Sequence, residues 1–107
     1  MQAQPSSFLA PAKPGWYSSG FDYPEWLNIG VELTDRLVAQ GFGDNTALIG
    51  NGRRRTYKEL ADWTNRLARA LVENYGIKPG HRVLIRSANN PAMVAAWLAA
   101  TKAGAVV

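Results

Sequence analysis

The stretch "RVLIRSANNPAMVAAWLAATKAGAVV", residues 82–107, decides the fold of this chain. Residues 82–86 are short, β-prone and bounded, which is typical of a buried strand. Asn90 can cap a helix whose first residue is Pro91, because a proline there loses no hydrogen bond. The helix predicted over residues 91–103 is apolar on nearly every side, so other elements must cover most of its surface.

The end of this stretch predicts a second strand. Lys102 lies in the last helical turn, where a cation complements the helix dipole, and Gly104 ends the helix. Residues 105–107 then open a strand, and a crossover helix of this length implies parallel strands in an α/β sheet. Such sheets are covered on both faces, and this chain has too few helices for that. We therefore expect the sheet to continue beyond Val107, which makes the chain the N-terminal part of a larger mixed or parallel-sheet α/β domain.

A β-hairpin and a long helix are predicted upstream of this unit. In "TALIGNGRRRTY", residues 46–57, the Asn-Gly pair at 51–52 accepts the positive φ angles of a type I′ turn between two short strands. Thr56 and Glu59 have the spacing of a capping box, and Gly76 marks the end of the helix that follows. The apolar face of that helix consists of Leu60, Trp63, Leu67, Leu71 and Tyr75.

The first 41 residues divide into a lead and a first helix. Residues 1–27 contain Pro, Gly and Ser without a period, so they are predicted to be an extended lead, and residues 28–107 the incomplete α/β portion. An amphipathic helix is predicted from Asn28 to Gly41, although Gly30 weakens it by about 1 kcal/mol. Its apolar positions are Ile29, Leu33, Leu37 and Val38. A cluster of aromatic residues is expected to staple the lead onto the domain surface: Trp16, Tyr17, Phe21, Tyr23 and Trp26.

Composition excludes several function classes. The chain has 107 residues, of which 47% are hydrophobic and 19% charged, and it has no cysteine, so a disulfide framework and a thiol nucleophile are excluded. His81 is the single histidine, which disfavours a histidine-built metal site. No apolar run approaches the roughly 18 residues of a membrane span, and no signal peptide is apparent, so a cytoplasmic location is predicted. The net charge of +4 is mild and not gathered in one stripe, which argues against nucleic acid as a partner.

Several blocks of the sequence resemble the N-terminal part of the adenylate-forming superfamily, which contains acyl-CoA synthetases, luciferases and adenylation domains. The blocks are "LTDRL", "RRTYKELADWTNRLARAL", "GIKPGHRVLI" and "NNPAMVAAWLAATKAGAVV", and they cover roughly residues 24–107. "YPEWLN" and "ENYGIKPGHRVLIRSANNP" are most similar to aromatic-acid CoA ligases, such as benzoate and 2-aminobenzoate CoA ligase. The spacing agrees at Thr56-Tyr57, Glu59-Leu60, Pro79-Gly80, Arg82-Val83, Asn90-Pro91 and Lys102-Ala103-Gly104.

The resemblance implies a two-step reaction in the full-length enzyme. A carboxylate attacks the α-phosphate of ATP in the presence of Mg²⁺, pyrophosphate leaves, and the thiol of CoA captures the acyl-adenylate. The family supplies donors and cations for this chemistry from a Ser/Thr/Gly-rich loop with a lysine, an acidic ribose contact and a lysine on a C-terminal domain. None of these motifs occurs in this sequence. We therefore expect no catalytic, cofactor-binding or metal-binding residue in this chain, and no activity from it alone.

His81 and the arginines at 53–55 each have a functional and a structural interpretation. His81 stands where the family often has an acidic residue after Pro-Gly, and it could act as a base, but a lone turn histidine is more often structural or solvated. The arginines at 53–55 could hold a phosphate of CoA or a nucleic acid, because guanidinium forks bind phosphate well. A solvated hairpin strand, whose charges discourage edge pairing, is the favoured interpretation.

Two further pairs of residues have the same ambiguity. Asn89 and Asn90 precede a helix N-terminus, where an anion could bind, but plain capping is favoured. Trp63 and Trp97 lie on helix faces at core spacing, so we expect both to pack in the core rather than to form a ligand box.

Two functions remain open from the sequence alone. The first is the N-terminal fragment of an acyl-CoA ligase, whose acid substrate is selected by residues downstream of Val107. The second is an independent α/β binding or interaction module that uses its basic hairpin on an anionic partner. Because the apolar helix and the strand at residues 105–107 need cover, we expect the chain to self-associate when it is studied alone.

Overall fold

The computed structural model describes residues 24–107. Most of the lead therefore lies outside the described residues, and so do four of the five aromatic residues predicted to staple it: Trp16, Tyr17, Phe21 and Tyr23. The fifth, Trp26, is described and is partly buried.

Helices and one two-stranded sheet make up the described chain, which is an α/β arrangement as predicted. Its core is formed where Leu60 of the long helix packs against Ala95 and Leu98 of the last helix. In chain order the elements are helix α1 (Ile29–Glu32), helix α2 (Asp35–Leu37), a π-helical turn (Val38–Phe42), strands β1 (Thr46–Gly50) and β2 (Arg53–Thr56), and helices α3 (Tyr57–Tyr75) and α4 (Pro91–Lys102).

The β-hairpin forms where the sequence predicted it. Strands β1 and β2 are antiparallel, with Gly50 opposite Arg53 and Ile49 opposite Arg54. The turn residues Asn51 and Gly52 have φ angles of 54° and 73°, as a type I′ turn requires. The tight turn makes the two strands adjacent, and in β2 Arg53 and Arg54 are exposed whereas Arg55 is partly buried.

Helix α3 begins and ends at the predicted signals. The Thr56 hydroxyl accepts a hydrogen bond from the Glu59 backbone N–H at 3.1 Å, and the Glu59 carboxylate accepts from the Thr56 backbone N–H at 3.2 Å. This reciprocal capping box satisfies two N–H groups that the first turn would leave without partners. The helix ends at Gly76, which is in the left-handed conformation, and its N–H donates to the Leu71 carbonyl.

The predicted strand–helix–strand unit is present in reduced form. Helix α4 is capped by Asn90, and Arg82 forms a parallel bridge with Val106. The Val83 N–H donates to the Val106 carbonyl and the Val106 N–H donates to the His81 carbonyl, both at 2.8 Å. Residues 82–86 do not form the full strand that the sequence predicted, because only the short 105–107 segment runs beside them within the described residues.

The first predicted helix is broken, which corrects the expectation of one helix from Asn28 to Gly41. Thr34 interrupts it with non-helical angles, φ −132° and ψ −84°. The Thr34 side chain is fully buried and donates to the Gly30 carbonyl at 2.6 Å, so this break is held by an internal hydrogen bond. Gly41 adopts φ 92°, so the backbone leaves the helical conformation at the predicted residue, which lies inside the π-helical turn.

Gly30 is needed for packing, although its low helix propensity predicted only that it weakens the helix. A Cβ at this position would lie 2.8 Å from the Leu98 carbonyl oxygen and 2.7 Å from Cγ of Lys102. Only a glycine therefore lets α1 approach the C-terminal half of α4 so closely. The face that α1 buries is formed by Gly30 and Thr34 rather than by the predicted apolar positions.

Candidate functional site

A buried lysine joins three helical segments at the C-terminal end of α4. The Lys102 side chain is 5% exposed, and its ammonium group lies 2.8 Å from Oδ2 of Asp35. The same ammonium donates to Oγ1 of Thr64 and to Oδ1 of Asn65, each at 2.8 Å. An ammonium has three N–H donors, so all three have partners. We call these four residues, Lys102, Asp35, Thr64 and Asn65, the Lys102 clamp.

The carboxylate of Asp35 is equally well bonded. The Asn65 amide donates to Oδ1 of Asp35 at 2.8 Å. Oδ2 also lies 3.2 Å from the Thr34 hydroxyl, whose single proton is directed to the nearer Gly30 carbonyl. Burial raises the pKa of Asp35, but hydrogen bonds from Lys102 and Asn65 and the positive charge of Lys102 together lower it below its ordinary value. Asp35 is therefore ionised at neutral pH, and hydrogen bonds hold the Lys102 side chain in place between α2 and α3.

Asn28 connects the clamp to the start of the described chain. Its side-chain oxygen accepts from the Val31 backbone N–H at 3.2 Å, which is the predicted cap of α1. Its amide nitrogen donates to the Lys102 carbonyl at 3.2 Å. One side chain thus caps the N-terminus of α1 and bonds a carbonyl at the C-terminus of α4, so it joins two helix ends.

The three arginines of β2 all have partners within the described chain. Arg53 lies 3.3 Å from the Glu59 carboxylate, and Arg54 donates from Nε to the Thr46 hydroxyl at 3.0 Å. The guanidinium of Arg55 lies 4.2 Å from the ring centroid of Trp63, which is a cation–π contact. These contacts agree with the favoured interpretation of a solvated hairpin strand whose charges are held at the surface.

A shallow cleft of about 430 Å³ lies beside these arginines. Its walls contain three arginines and two carboxylates, so positive and negative charge nearly balance. The backbone N–H of Thr56, and then Arg53, lower the pKa of Glu59, which keeps that carboxylate ionised in the cleft. The lining residues are Arg53, Arg55, Glu59, Asp62, Trp63 and Arg66.

Asn90 acts as the structural interpretation predicted. Oδ1 of Asn90 accepts from the Met93 backbone N–H at 2.9 Å, so Asn90 is the cap of α4. A second concavity of about 290 Å³ separates this helix start from the hairpin turn, with Asn89 and Asn90 on one side. Its lining contains no lysine or arginine, which gives an anion little reason to bind there.

His81 and the two tryptophans complete the predicted candidates. Nδ1 of His81 accepts from the Lys78 backbone N–H at 3.1 Å, so the histidine stabilises its own turn. Trp63 is partly buried and packs against the core, as predicted. Trp97 is 45% exposed, so the prediction that it packs in the core is wrong for the described residues. Leu98, the next residue in α4, faces the core in its place.

Neither a metal site nor a membrane-spanning helix is found in the described part of the chain. Within residues 24–107, no three His, Cys, Asp or Glu side chains lie together in a way that could hold a metal ion. No helix in the same range is long and apolar enough to cross a membrane.

Similarity to known proteins identifies the family. Residues 36–107 match the AMP-binding enzyme family, and the chain belongs to it. It is 40% identical over 80 residues to 3-hydroxybenzoate–CoA/4-hydroxybenzoate–CoA ligase of Thauera aromatica, covering 75% of this chain and 15% of that protein. It is 38% identical over 80 residues to 3-hydroxybenzoate–CoA ligase of Aromatoleum sp. (strain CIB), with the same coverage.

Acetyl-CoA synthetases are similar as well. The human acetyl-coenzyme A synthetase 2-like, mitochondrial, is 37% identical over 104 residues, which is 92% of this chain and 14% of that protein. The chain therefore spans about 15% of the length of the curated relatives it matches. The resemblance to the adenylate-forming superfamily that the sequence motifs indicated is confirmed.

Proposed function

We propose that this chain is the N-terminal part of an AMP-forming acid–CoA ligase. The whole enzyme would activate a carboxylic acid with ATP and transfer the acyl group to CoA. The observation that supports this proposal most directly is the match of residues 36–107 to the AMP-binding enzyme family. The relatives above are all named as CoA ligases or synthetases, which supports the same reaction class.

An aromatic acid is the substrate class that we propose, with benzoate, 2-aminobenzoate and hydroxybenzoates as candidates. Two relatives at 40% and 38% identity are named as hydroxybenzoate–CoA ligases. The segments at residues 23–28 and 73–91 also resemble aromatic-acid CoA ligases. An acetyl-CoA synthetase at 37% identity is the competing substrate class, so the acid has to be decided by assay.

The cofactors of the proposed reaction are ATP, CoA and Mg²⁺, and their binding groups are proposed to lie outside this chain. Mg²⁺ prefers carboxylate and other oxygen ligands, and residues 24–107 hold no suitable group of acidic side chains. The cleft beside the hairpin is nearly neutral, and its arginines are already paired with carboxylates or stacked on Trp63. We therefore assign no catalytic, cofactor-binding or metal-binding residue here, and we propose that this part supplies scaffold.

The alternative function, an independent module that binds an anionic partner through the hairpin, is not favoured. Such a module needs arginines whose guanidinium groups are available to the partner. Arg53 and Arg54 instead bond to side chains of their own chain, and Arg55 stacks on Trp63. The predictions that the protein uses neither nucleic acid nor a membrane as a partner, and that it is cytoplasmic, belong to the ligase proposal.

Self-association of the 107-residue chain is proposed separately. Leu84 is 94% exposed, and Val106 and Val107 are also exposed, beside the single parallel bridge. Apolar surface next to unpaired backbone groups favours pairing with another chain. Sedimentation at micromolar concentration should show a dimer or a larger species.

The proposed reaction is tested with the longer protein that contains this chain. Exchange of labelled pyrophosphate into ATP should depend on 3-hydroxybenzoate, benzoate or 2-aminobenzoate, and adding CoA should yield the acyl-CoA. Exchange that depends on acetate alone would overturn the aromatic substrate but keep the ligase. No exchange with any of these acids, in a protein whose folding is confirmed by circular dichroism, would contradict the reaction class.

A further inference from the structure

Residues 28–40, which we call the N-terminal strap, add no side chain to the apolar core of the described chain. The core cluster and the apolar side chains packed against it all come from β1, α3 and α4. Within the strap only Gly30 and Thr34 are buried, and neither has a large apolar side chain. The strap therefore lies on the paired helices α3 and α4 without completing their core.

Two polar side chains make every hydrogen bond that joins the strap to α3 or α4 within the described residues. Asn28 donates to the carbonyl oxygens of Lys102 and Thr101, at 3.2 Å and 3.5 Å. Asp35 accepts from the Lys102 ammonium and from the Asn65 amide, each at 2.8 Å. Lys102 is therefore a partner of both attachment points, through its carbonyl at the first and through its ammonium at the second.

The helical conformation of the strap depends on its position against α3 and α4. Its own hydrogen bonds include those from the Leu33 N–H to the Ile29 carbonyl at 3.0 Å and from the Thr34 hydroxyl to the Gly30 carbonyl at 2.6 Å. Helices α1 and α2 have only four and three residues, and helices of this length do not persist in water by themselves. The backbone N–H groups of the strap should therefore become open to solvent when the strap leaves α3 and α4.

Gly41 lies at the point where the strap would pivot. It adopts φ 92°, and a Cβ at this position would meet nothing within 4 Å. Two residues later the chain is fixed again, because the Gly43 carbonyl accepts from the Lys58 N–H at 3.0 Å. The Asn45 carbonyl likewise accepts from the Tyr57 N–H at 3.0 Å. The chain after Gly41 can therefore stay with α3 while the strap before it moves, as hinges at element ends allow.

We propose that the N-terminal strap opens as one unit while α3 and α4 stay packed, and that the Lys102 clamp is the latch that keeps it closed. Local opening of this kind is expected where a segment makes few buried apolar contacts. The latch is a buried ammonium with three hydrogen-bond partners, of which only Asp35 belongs to the strap. Opening separates Asp35 from this ammonium and leaves the apolar contact between α3 and α4 in place.

Hydrogen exchange in the longer protein that contains this chain, followed by mass spectrometry at increasing urea, measures the opening. In the natural protein, residues 29–38 should be at least about tenfold less protected than residues 60–70 of α3. Their protection should also fall less steeply with urea, with about one third of the α3 slope or less, because opening exposes far less surface than unfolding of the whole domain.

Two variants and a control test the latch. Lys102→Met keeps the apolar stem and removes the ammonium, so residues 29–38 should exchange at least about tenfold faster than in the natural protein. Asp35→Asn keeps the shape of the side chain and removes its charge, and it should speed exchange at least about threefold. Arg36→Gln is the matched control, because Arg36 is an exposed cation whose partner, Glu32, also lies in the strap. Its effect should stay below about twofold.

Three outcomes would overturn the proposal. Equal protection and equal urea slopes for residues 29–38 and for α3 would mean that the strap unfolds only with the whole domain. Unchanged exchange of the strap in Lys102→Met would mean that the latch lies elsewhere. Equal acceleration in Arg36→Gln would mean that an exposed charge holds the strap as well as the buried one does. The exchange of the natural protein needs no variant, so it decides the first point even where a variant fails to fold.

Discussion

The Lys102 clamp and the arginine hairpin place cations beside carboxylates in opposite settings. The Lys102 ammonium lies 2.8 Å from Asp35 with its side chain 5% exposed, whereas Arg53 lies 3.3 Å from Glu59 with both side chains largely open to water. In the clamp, a buried ammonium has three hydrogen-bond partners, one of them a partly exposed carboxylate, and connects segments far apart in sequence. On the hairpin, water screens the same kind of pair, so its contribution to stability is small. The contribution of a charged residue to stability therefore depends on its burial and on its number of hydrogen bonds, rather than on how many charges surround it.

Removing the clamp lysine should have the largest effect. Lys102→Met keeps the apolar stem but leaves the Asp35 carboxylate without its counter-charge, and breaking a buried ion pair costs about 3 kcal/mol or more. Because Asp35 is about one-third exposed, we expect a loss of about 2–3 kcal/mol in the free energy of unfolding, measured by urea denaturation.

Lys78→Met is the matched control for that experiment. Lys78 is exposed in the turn before the parallel bridge, and its backbone N–H, which bonds His81, is kept in the variant. Its effect should stay within about 0.5 kcal/mol. Equal losses for the two variants would remove the distinction between buried and exposed cations on which the comparison depends.

Acid should weaken the clamp through Asp35. Because the pKa of Asp35 is lowered in the folded chain, its stabilisation is complete above the ordinary carboxyl value, about 3.9, and is lost as pH falls through the lower folded value. The difference in unfolding free energy between the natural chain and Asp35→Asn should therefore shrink below about pH 4. A difference that stays constant from pH 7 to pH 2 would show that the carboxylate charge does not matter.

The comparison also explains which parts of the structure the sequence could predict. The hairpin turn at residues 51–52, the Thr56–Glu59 capping box and the Asn90 cap depend on neighbours a few residues apart, so local rules identify them. The contact of Lys102 with Asp35 depends on how α2 and α4 pack, and one sequence contains no signal for it. Propensity alone judged Lys102 as a partner of the helix dipole and Gly30 as a weak point of its helix.

Other differences between the sequence predictions and the structure come from packing, which a single sequence does not reveal. The predicted helical period at Ile29 and Leu33 marked an apolar face correctly but not the face that contacts α4, because Gly30 allows a closer approach on its own side. Trp97 was expected in the core for the same periodic reason. The sequence located the candidate basic residues, but the nearly neutral cleft around them depends on where Asp62 and Glu59 lie.

Replacing the hairpin arginines should have the smallest effect. If Arg53, Arg54 and Arg55 only form the charged surface of a solvated strand, they do not bind CoA. Changing all three to glutamine in the full-length enzyme should then change the KM for CoA by less than about threefold, which corresponds to less than 1 kcal/mol. Arg69→Gln, an exposed arginine of α3 outside the cleft, serves as the control. A rise of tenfold or more in the KM for CoA, seen for the triple variant and not for Arg69→Gln, would identify these arginines as phosphate ligands. The hairpin would then have a binding role that the surface interpretation denies.

We propose that these 107 residues supply the scaffold of an acid–CoA ligase and not its catalytic groups. Pyrophosphate–ATP exchange with the isolated polypeptide tests this proposal, in the presence of Mg²⁺ and benzoate, 2-aminobenzoate or a fatty acid. We expect no exchange above a control without protein, under conditions in which the longer protein that contains this chain does catalyse exchange. Reproducible exchange by the isolated polypeptide would contradict it, because residues within the chain would then have to bind ATP and activate the acid.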